Sequence, residues 1–136
     1  VRANRVNGIC DVAGKSNCLL VSVHANAGGG TGWEAHTCLG DSMSDRYSAL
    51  FYEKAGEAFG KEWMIRKGSA DPADPDWDSN FAILRDTKCP AVLTENFFMD
   101  TERDCRFLLS EEGRERIAAM HVEAIMACIE YHQTQS

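Results

Sequence analysis

Two short apolar segments constrain the fold of this chain more than any other feature. Residues 18–23 lead into His24, and residues 91–94 lead into Glu95. Each segment is rich in Leu or Val and too short for a helix, which predicts a buried strand that ends at a polar side chain. Because sites in α/β sheets lie beyond the carboxyl ends of the strands, we expect His24 and Glu95 to share one edge of a sheet.

The rest of the chain alternates between strand and helix patterns, which predicts an α/β fold. The spacing of Ser42 with Asp45, and of Thr101 with Asp104, is typical of capping boxes at the starts of two helices. No repeat or interdomain linker interrupts the pattern, so residues 1–136 are predicted to form one domain. Helices are predicted over 2–14, 44–59, 101–109 and 111–131, further strands over 33–39 and 61–66, and a loop over 69–79.

Composition and charge exclude several classes of protein. Of the 136 residues, 44% are hydrophobic and 26% are charged, as in ordinary globular proteins. The net charge is −7 and no run of Lys or Arg exists, which argues against nucleic-acid binding. No apolar run approaches the roughly 18 residues of a membrane span, and no signal peptide is visible. Since the chain begins with Val1 rather than Met, we expect it to be a processed or excised piece.

The cysteines leave two readings open. Their number is even, which permits disulfides, but no CxxC pair indicates a structural zinc ribbon. Most of them lie within apolar patterns, so buried free thiols are favoured over disulfides. The six are Cys10, Cys18, Cys38, Cys89, Cys105 and Cys128.

His24 and Glu95 each have a structural and a functional interpretation. His24 is either a core histidine with a backbone partner or a zinc ligand, since neutral imidazole is the commonest metal-binding side chain. Glu95 is either a paired structural group or a general base, because an unpaired carboxylate is costly to bury. A catalytic zinc usually has three protein ligands, and only His24 stands out as one.

Other polar residues are weaker candidates. Glu34 and His36 are two residues apart in a predicted strand, so they share one face. Glu34 could form a salt bridge or contribute to the site, His36 could be a further site residue, and a structural role is favoured for each. His121 and His132 are predicted to be structural. The acidic residues 74–78 resemble the start of a calcium loop but fail the EF-hand pattern, which favours a solvated loop.

Four motifs occur together in the order and spacing of a known family. They are Ser22-Val-His-Ala-Asn26, Gly32-Trp-Glu34, Asn80-Phe-Ala-Ile-Leu-Arg85 and Pro90-Ala-Val-Leu-Thr-Glu95. Arg5 matches an arginine that precedes the histidine strand of that family. From about Arg5 to Tyr131 the chain resembles the zinc-dependent N-acetylmuramoyl-L-alanine amidases of type 3, which include autolysins and the endolysins of phages.

The resemblance implies both a fold and a reaction. The fold is a three-layer sandwich with a central mixed, mainly parallel sheet flanked by helices. The reaction is hydrolysis of the amide between N-acetylmuramic acid and L-alanine of peptidoglycan, in the cell wall, outside the cell or in the periplasm. His24 matches one of the zinc ligands and Glu95 the catalytic glutamate. Arg85, Glu34 and Asn26 are predicted to contact the substrate, and the sequence carries no signal for an oligomeric state.

The departures from the family set further expectations. The family opens with a Gly-His-Gly strand and a glutamate-bearing helix, so two of its zinc ligands have no counterpart among these residues. Phe97, Phe98 and Thr101 replace the family's residues beyond the catalytic glutamate. We therefore expect an N-terminally incomplete fold with an exposed sheet edge, weak zinc binding and slow hydrolysis. The alternatives are a non-catalytic muropeptide-binding module, an inactive fragment, or another zinc peptidase.

Overall fold

The computed structural model describes residues 1–40 and 42–135, which form four strands and five helices with one 3₁₀ turn at Lys15–Asn17. The strands are β1 (Leu20–Asn26), β2 (Trp33–Thr37), β3 (Trp77–Asp78) and β4 (Ala91–Phe98). The helices are α1 (Arg2–Ala13), α2 (Met43–Phe59), α3 (Ala82–Arg85), α4 (Glu102–Leu109) and α5 (Glu111–Thr134). None of the described helices has the length and apolarity that a membrane crossing requires.

The strands form one mixed sheet in the order β1-β4-β2-β3. β1 runs parallel to β4 and β2 parallel to β3, whereas β2 and β4 are antiparallel. Helices α2 and α5 pack together over one face, and α3 packs against β4 at the other. The α/β prediction, with a mixed and mainly parallel sheet between helical layers, is therefore confirmed.

The main core lies between the sheet and the pair α2 and α5. Phe51, Ala55 and Phe59 bury the apolar face of α2 against Trp33 and Met120. The start of α2 is fixed as predicted, because the Ser42 hydroxyl accepts from the amide of Ser44 and the Asp45 carboxylate accepts from the amide of Ser42. This helix therefore packs against β2 and β4 and fixes the position of both strands.

β1 lies at the edge of the sheet and is more exposed than the sequence pattern predicts. Every residue of β1 is half-buried or exposed, and the side chain of Val23 is 59% accessible. The prediction of a buried strand is wrong for β1, because β1 pairs only with β4 among the described residues. An open groove of about 590 Å³ runs beside it, lined by residues that include Val23, His24 and Ile117 of α5.

Strands β1 and β4 both continue beyond the residues at which the apolar pattern predicts their ends. β1 continues past His24 to Asn26, and β4 continues past Glu95 to Phe98. The pairing of the two strands shifts by one residue between His24 and Asn26, so that Asn26 pairs with Phe98 across a bulge. Phe97 adopts a φ of 64°, the left-handed region, at this irregularity. His24 and Glu95 therefore lie inside the sheet, one step before a bulge, rather than at its rim.

The second predicted capping box is wrong. The Thr101 side chain makes no cap to α4, and its hydroxyl donates to the carbonyl of Gly30 instead. The Asp104 carboxylate is fully buried and accepts from the amides of Gly32 and Phe98, 2.9 and 3.0 Å away. These long-range partners tie the loop between β1 and β2 to the end of β4. Local spacing alone did not indicate them.

Two further predictions need correction. Residues 61–66 do not form a strand, because the chain turns there and only Ile65 bridges to Trp33. In α5, Ile117, His121, Ile125 and Ile129 recur at every fourth residue, a spacing that predicts one buried face, but Ile129 is 45% exposed. The buried face is instead formed by Met120, His121, Ala124 and Cys128.

Candidate active site

Three polar side chains lie in one row across the sheet. Glu95 of β4 pairs with His24 of β1 on one side and with Glu34 of β2 on the other. Residues paired in register point to the same face of a sheet, so the three side chains share one surface. The backbone register therefore places His24 and Glu95 side by side, inside the sheet rather than at the predicted edge, and the roles predicted for them stay predictions.

Glu34 is locked in a network of hydrogen bonds. One carboxylate oxygen lies 2.6 Å from His36 Nε2, and the other accepts from Arg66 Nε at 2.8 Å. His36 Nδ1 in turn lies 2.6 Å from the Ser79 hydroxyl. Burial raises the pKa of Glu34, but the hydrogen bonds from His36 and Arg66 outweigh it and leave the pKa below its ordinary value. Glu34 therefore stays ionised, as the salt-bridge interpretation predicts.

Glu95 has the opposite electrostatic environment. Its side chain is half-buried and has no hydrogen bond or ion pair among the described residues. Burial raises its pKa to about 7, with the charge of Glu34 adding to the effect and that of His36 opposing it. A carboxyl group with this pKa exchanges its proton near neutral pH, as a general base or acid must.

His24 does not complete a zinc site with its described neighbours. Its ring is exposed, and Nε2 lies 2.9 Å from the hydroxyl of Ser22. A catalytic zinc usually takes three protein ligands, and the described residues place no group of three around His24. The residues present therefore do not by themselves fit the metal that the family resemblance implies.

The other predicted site residues, Asn26 and Arg85, each have a local partner in the structure. Asn26 ends β1, and its side-chain oxygen accepts from the amide of Ala27 at 2.9 Å. Arg85 is exposed at the end of α3, where its guanidinium pairs with Asp86 at 2.8 Å. Their proposed contacts with substrate stay predictions.

Sequence reasoning missed four residues that shape this surface. Arg66 and Ser79 complete the Glu34 network, and the rings of Trp77 and Phe81 lie 6.3 and 5.3 Å from the ring of His36. Phe81 is 44% exposed and forms an aromatic wall beside the row. No local pattern indicates these partners, because most of them are brought to β2 from distant loops.

A second group of carboxylates lies on the opposite face of β2. Thr37 follows His36, so it points away from the row, and its hydroxyl lies 2.9 Å from Asp45 and 2.6 Å from Asp76. Asp45, Asp74 and Asp76 each offer an oxygen within 4.8 Å of the others, a spacing that could hold a metal ion. Oxygen donors of this kind suit a hard cation such as Mg²⁺ or Ca²⁺.

The burial of Asp76 overturns the prediction of a solvated loop at this point. Asp76 is 4% exposed, because β3 pairs with β2 and carries this residue in against Thr37. Burial raises its pKa to about 7; the bond from Thr37 opposes this shift, and the charges of Asp45 and Asp74 add to it. The folded protein therefore retains a proton on Asp76 well above the pH at which the unfolded chain releases it.

This raised pKa predicts how stability changes with pH. The contribution of Asp76 to the free energy of unfolding is fully present below about pH 4, falls as the pH rises toward 7, and is lost above pH 7. We expect Asp76→Asn to be more stable than the wild type at pH 8, by an amount on the order of a few kcal/mol, and to lose this advantage at pH 4. Urea unfolding at both pH values measures the difference. Asp78→Asn, at an exposed position, is the control, and an equal difference for both variants would contradict the prediction.

Comparison with known proteins places the chain in a family. The sequence profile of the N-acetylmuramoyl-L-alanine amidases matches residues 3–127. The chain belongs to this amidase family. The match covers all three strands of the row and all the motifs on which the resemblance rests, so that recognition is confirmed.

Amidases and an endolysin are among the relatives. The chain is 31% identical to the N-acetylmuramoyl-L-alanine amidase CwlM of Bacillus licheniformis over 107 residues, which are 78% of this chain and 38% of CwlM. It is 30% identical to the endolysin of Bacillus phage SPP1 over 125 residues, 86% of this chain and 44% of the endolysin. The chain therefore spans about two fifths of the length of these curated relatives.

Solved structures of amidases share the fold. The N-acetylmuramoyl-L-alanine amidase from Clostridium difficile 630 matches with a TM-score of 0.76 at 20% identity, over 95% of this chain and 63% of that one. The catalytic domain of CwlV from Bacillus (Paenibacillus) polymyxa matches with a TM-score of 0.75 at 20% identity, over 96% of this chain and 66% of that one. At this identity the likeness supports the amidase fold and nothing finer.

Proposed function

We propose that this chain acts on peptidoglycan and hydrolyses the amide between N-acetylmuramic acid and the L-alanine of the stem peptide, with Glu95 as the general base. The observation that carries the proposal is the row formed by His24, Glu95 and Glu34, in which Glu95 has a raised pKa and no fixed partner. Membership of the amidase family supports the choice of substrate. The site of action would then be the cell wall.

The two glutamates divide the chemistry between them. Glu34 is held ionised by Arg66 and His36, so it cannot readily exchange a proton. Glu95 can take a proton from water as the water oxygen attacks the amide carbonyl, and can then return it to the nitrogen of the departing L-alanine. Two carboxyl groups whose pKa values are pushed apart in this way are typical of acid–base catalysis.

Zinc enters the proposal only through His24. We propose His24 as a ligand of the family's metal, which when bound would polarise the amide carbonyl and acidify water. Because the described neighbours of His24 supply no complete ligand set, we assign no step of the reaction to the metal. The carboxylates of Asp45, Asp74 and Asp76 lie on the opposite face of β2, so they are not proposed as ligands of this metal.

Substrate contacts are proposed for three residues around the row. Asn26 ends the strand that carries His24, and Arg85 offers a guanidinium at the end of α3 for a carboxylate of the stem peptide. Glu34 would accept hydrogen bonds from the substrate at the edge of its own network. We also propose that residues 1–136 act as one domain.

A binding module is the second candidate. The incomplete ligand set at His24 favours it, because a surface that keeps the substrate contacts without a full metal site binds muropeptide and does not cleave it. An enzyme and a binder differ in the product that they leave, so product analysis separates the two.

The test uses dye-labelled peptidoglycan incubated with the chain, with and without added zinc. We expect slow, zinc-stimulated release of dye, together with new amino-terminal L-alanine, because the reaction frees that amine. A soluble muropeptide and a plain peptide of the same sequence serve as matched substrates. Cleavage of the plain peptide at an equal rate would indicate a general peptidase, and binding without release would indicate the module.

A further inference from the structure

Three cysteines, Cys10, Cys18 and Cys89, lie close together near the starts of β1 and β4. β1 and β4 are parallel, with Leu20 paired to Ala91 and the amide of Leu20 donating to the carbonyl of Pro90 at 2.9 Å. Extending that register back by two residues places Cys18 opposite Cys89. The two thiols therefore lie on the same face, at the entrances to the two strands.

Helix α1 brings the third cysteine to the same place. The side chain of Asn7 donates to the carbonyl of Asp86 at 2.8 Å and accepts from the amide of Lys88 at 2.7 Å, which lays α1 beside the entrance to β4. Cys10 lies three residues later on the same face of the helix and is 2% exposed. Burial and the neighbouring thiol of Cys10 raise the pKa of both Cys18 and Cys89.

Of the three thiols, Cys18 is the most accessible. Cys18 is half-buried, whereas Cys10 and Cys89 are 2% and 5% exposed. Access rather than acidity therefore makes Cys18 the first thiol to meet a small oxidant, since its raised pKa keeps its thiolate scarce and the exchange slow at neutral pH. Cys10 is a neighbouring thiol that can react with the adduct. All three cysteines are reduced in this structure.

We propose that Cys10 and Cys18 form a reversible disulfide that fastens α1 to the entrance of β1. Cys18 loses its proton, and its thiolate attacks one sulfur of a small-molecule disulfide such as oxidised glutathione. The sulfur–sulfur bond of that disulfide breaks, and the departing thiolate takes up the proton to become a free thiol. Cys10 then loses its proton and attacks the Cys18 sulfur of the mixed disulfide, which releases the second thiol. Two protein thiols are oxidised and one small disulfide is reduced to two thiols.

The proposed disulfide would join a helix that has few other contacts with the rest of the chain. Among the described residues of this helix only Cys10 is fully buried. The side-chain bonds that hold the helix to the rest of the chain are those of Asn7, one from Asn17 to the carbonyl of Ala13, and an exposed pair between Lys88 and Asp11. Elements with so little buried surface open locally at small cost. A link from Cys10 to Cys18 closes a short loop and reduces this opening. The inference does not depend on the proposed amidase activity.

The test treats the folded chain with oxidised glutathione and maps disulfides by mass spectrometry of a non-reducing digest. We expect a peptide pair joined through Cys10 and Cys18, and about tenfold slower hydrogen exchange in residues 2–13 after oxidation. Cys18→Ser should abolish both effects. Cys105→Ser, at another half-buried cysteine, should leave both unchanged and is the matched control.

Two results would overturn the proposal. One is a stable glutathione adduct on Cys18 that Cys10 does not displace, and the other is a bond between any different pair of cysteines. Because the readouts are a covalent bond and the exchange of α1, loss of peptidoglycan cleavage has no bearing on them.

Discussion

Replacing Glu95 with glutamine should lower the rate of peptidoglycan cleavage by about 10²- to 10⁴-fold, the usual contribution of a general base. The amide keeps the size of the carboxyl group and its place between His24 and Glu34, but it cannot take a proton from water. The fold should persist, since Glu95 is half-buried and has no described ion pair. The measurement is turnover on muropeptide, with binding of the same muropeptide followed separately.

The control is Glu53→Gln, which changes the same side chain at an exposed position of α2 and should leave turnover unaltered. The enzyme and the binding module respond differently to the Glu95 variant. An enzyme loses turnover and keeps most of its affinity, whereas a binder shows no turnover in the wild type and unchanged affinity in both variants. Equal turnover of wild type and Glu95→Gln would remove Glu95 from the mechanism.

The largest expected loss of stability comes from Phe97→Ala. The ring is fully buried, and its centroid lies 4.8 Å from that of Trp63 and 4.9 Å from that of Phe107. Truncating a buried phenylalanine to alanine usually costs about 3–5 kcal/mol, through lost burial and the cavity that remains. Urea unfolding at one pH measures the cost. A loss below about 1 kcal/mol would show that the aromatic cluster does not anchor the end of β4.

Phe97→Gly separates the ring from the backbone. Within a strand, glycine is ordinarily less stable than alanine by roughly 0.5–1 kcal/mol. At Phe97 the φ of 64° reverses this preference, because only glycine adopts the left-handed region without a steric penalty. We expect the glycine variant to be at least as stable as the alanine variant. A clearly less stable glycine variant would contradict the strained geometry of the bulge.

Some parts of the site could be predicted from the sequence. His24 and Glu95 each follow an apolar segment of similar length, so adjacent parallel strands bring them into register. Glu34 and His36 are two residues apart, and the alternation of a strand places them on one face, where they form a pair at 2.6 Å. These features are local, because a short-range pattern and a strand geometry are sufficient to produce them.

Other parts depend on residues that no local pattern connects. Arg66 reaches Glu34 from the segment after α2, and Ser79 reaches His36 from the end of β3. Asp104 has the spacing of a capping residue but binds the amides of Gly32 and Phe98 instead. In each case a charged or polar group takes the partners that folding buries beside it, and these outcompete the local ones.

The α/β class, the amidase family and the placement of His24 and Glu95 on one sheet could be predicted before the fold was known, because strand periodicity and motif spacing depend on neighbouring residues alone. Which of the two glutamates can exchange a proton follows only from the packing of distant residues around them. Arg66 and His36 hold Glu34 ionised, while burial leaves Glu95 unpartnered with a raised pKa. The same packing also sets the bulge at Phe97, which turns that ring into the core while Glu95 stays on the site face, because the aromatic cluster of α2 and α4 lies on the opposite side.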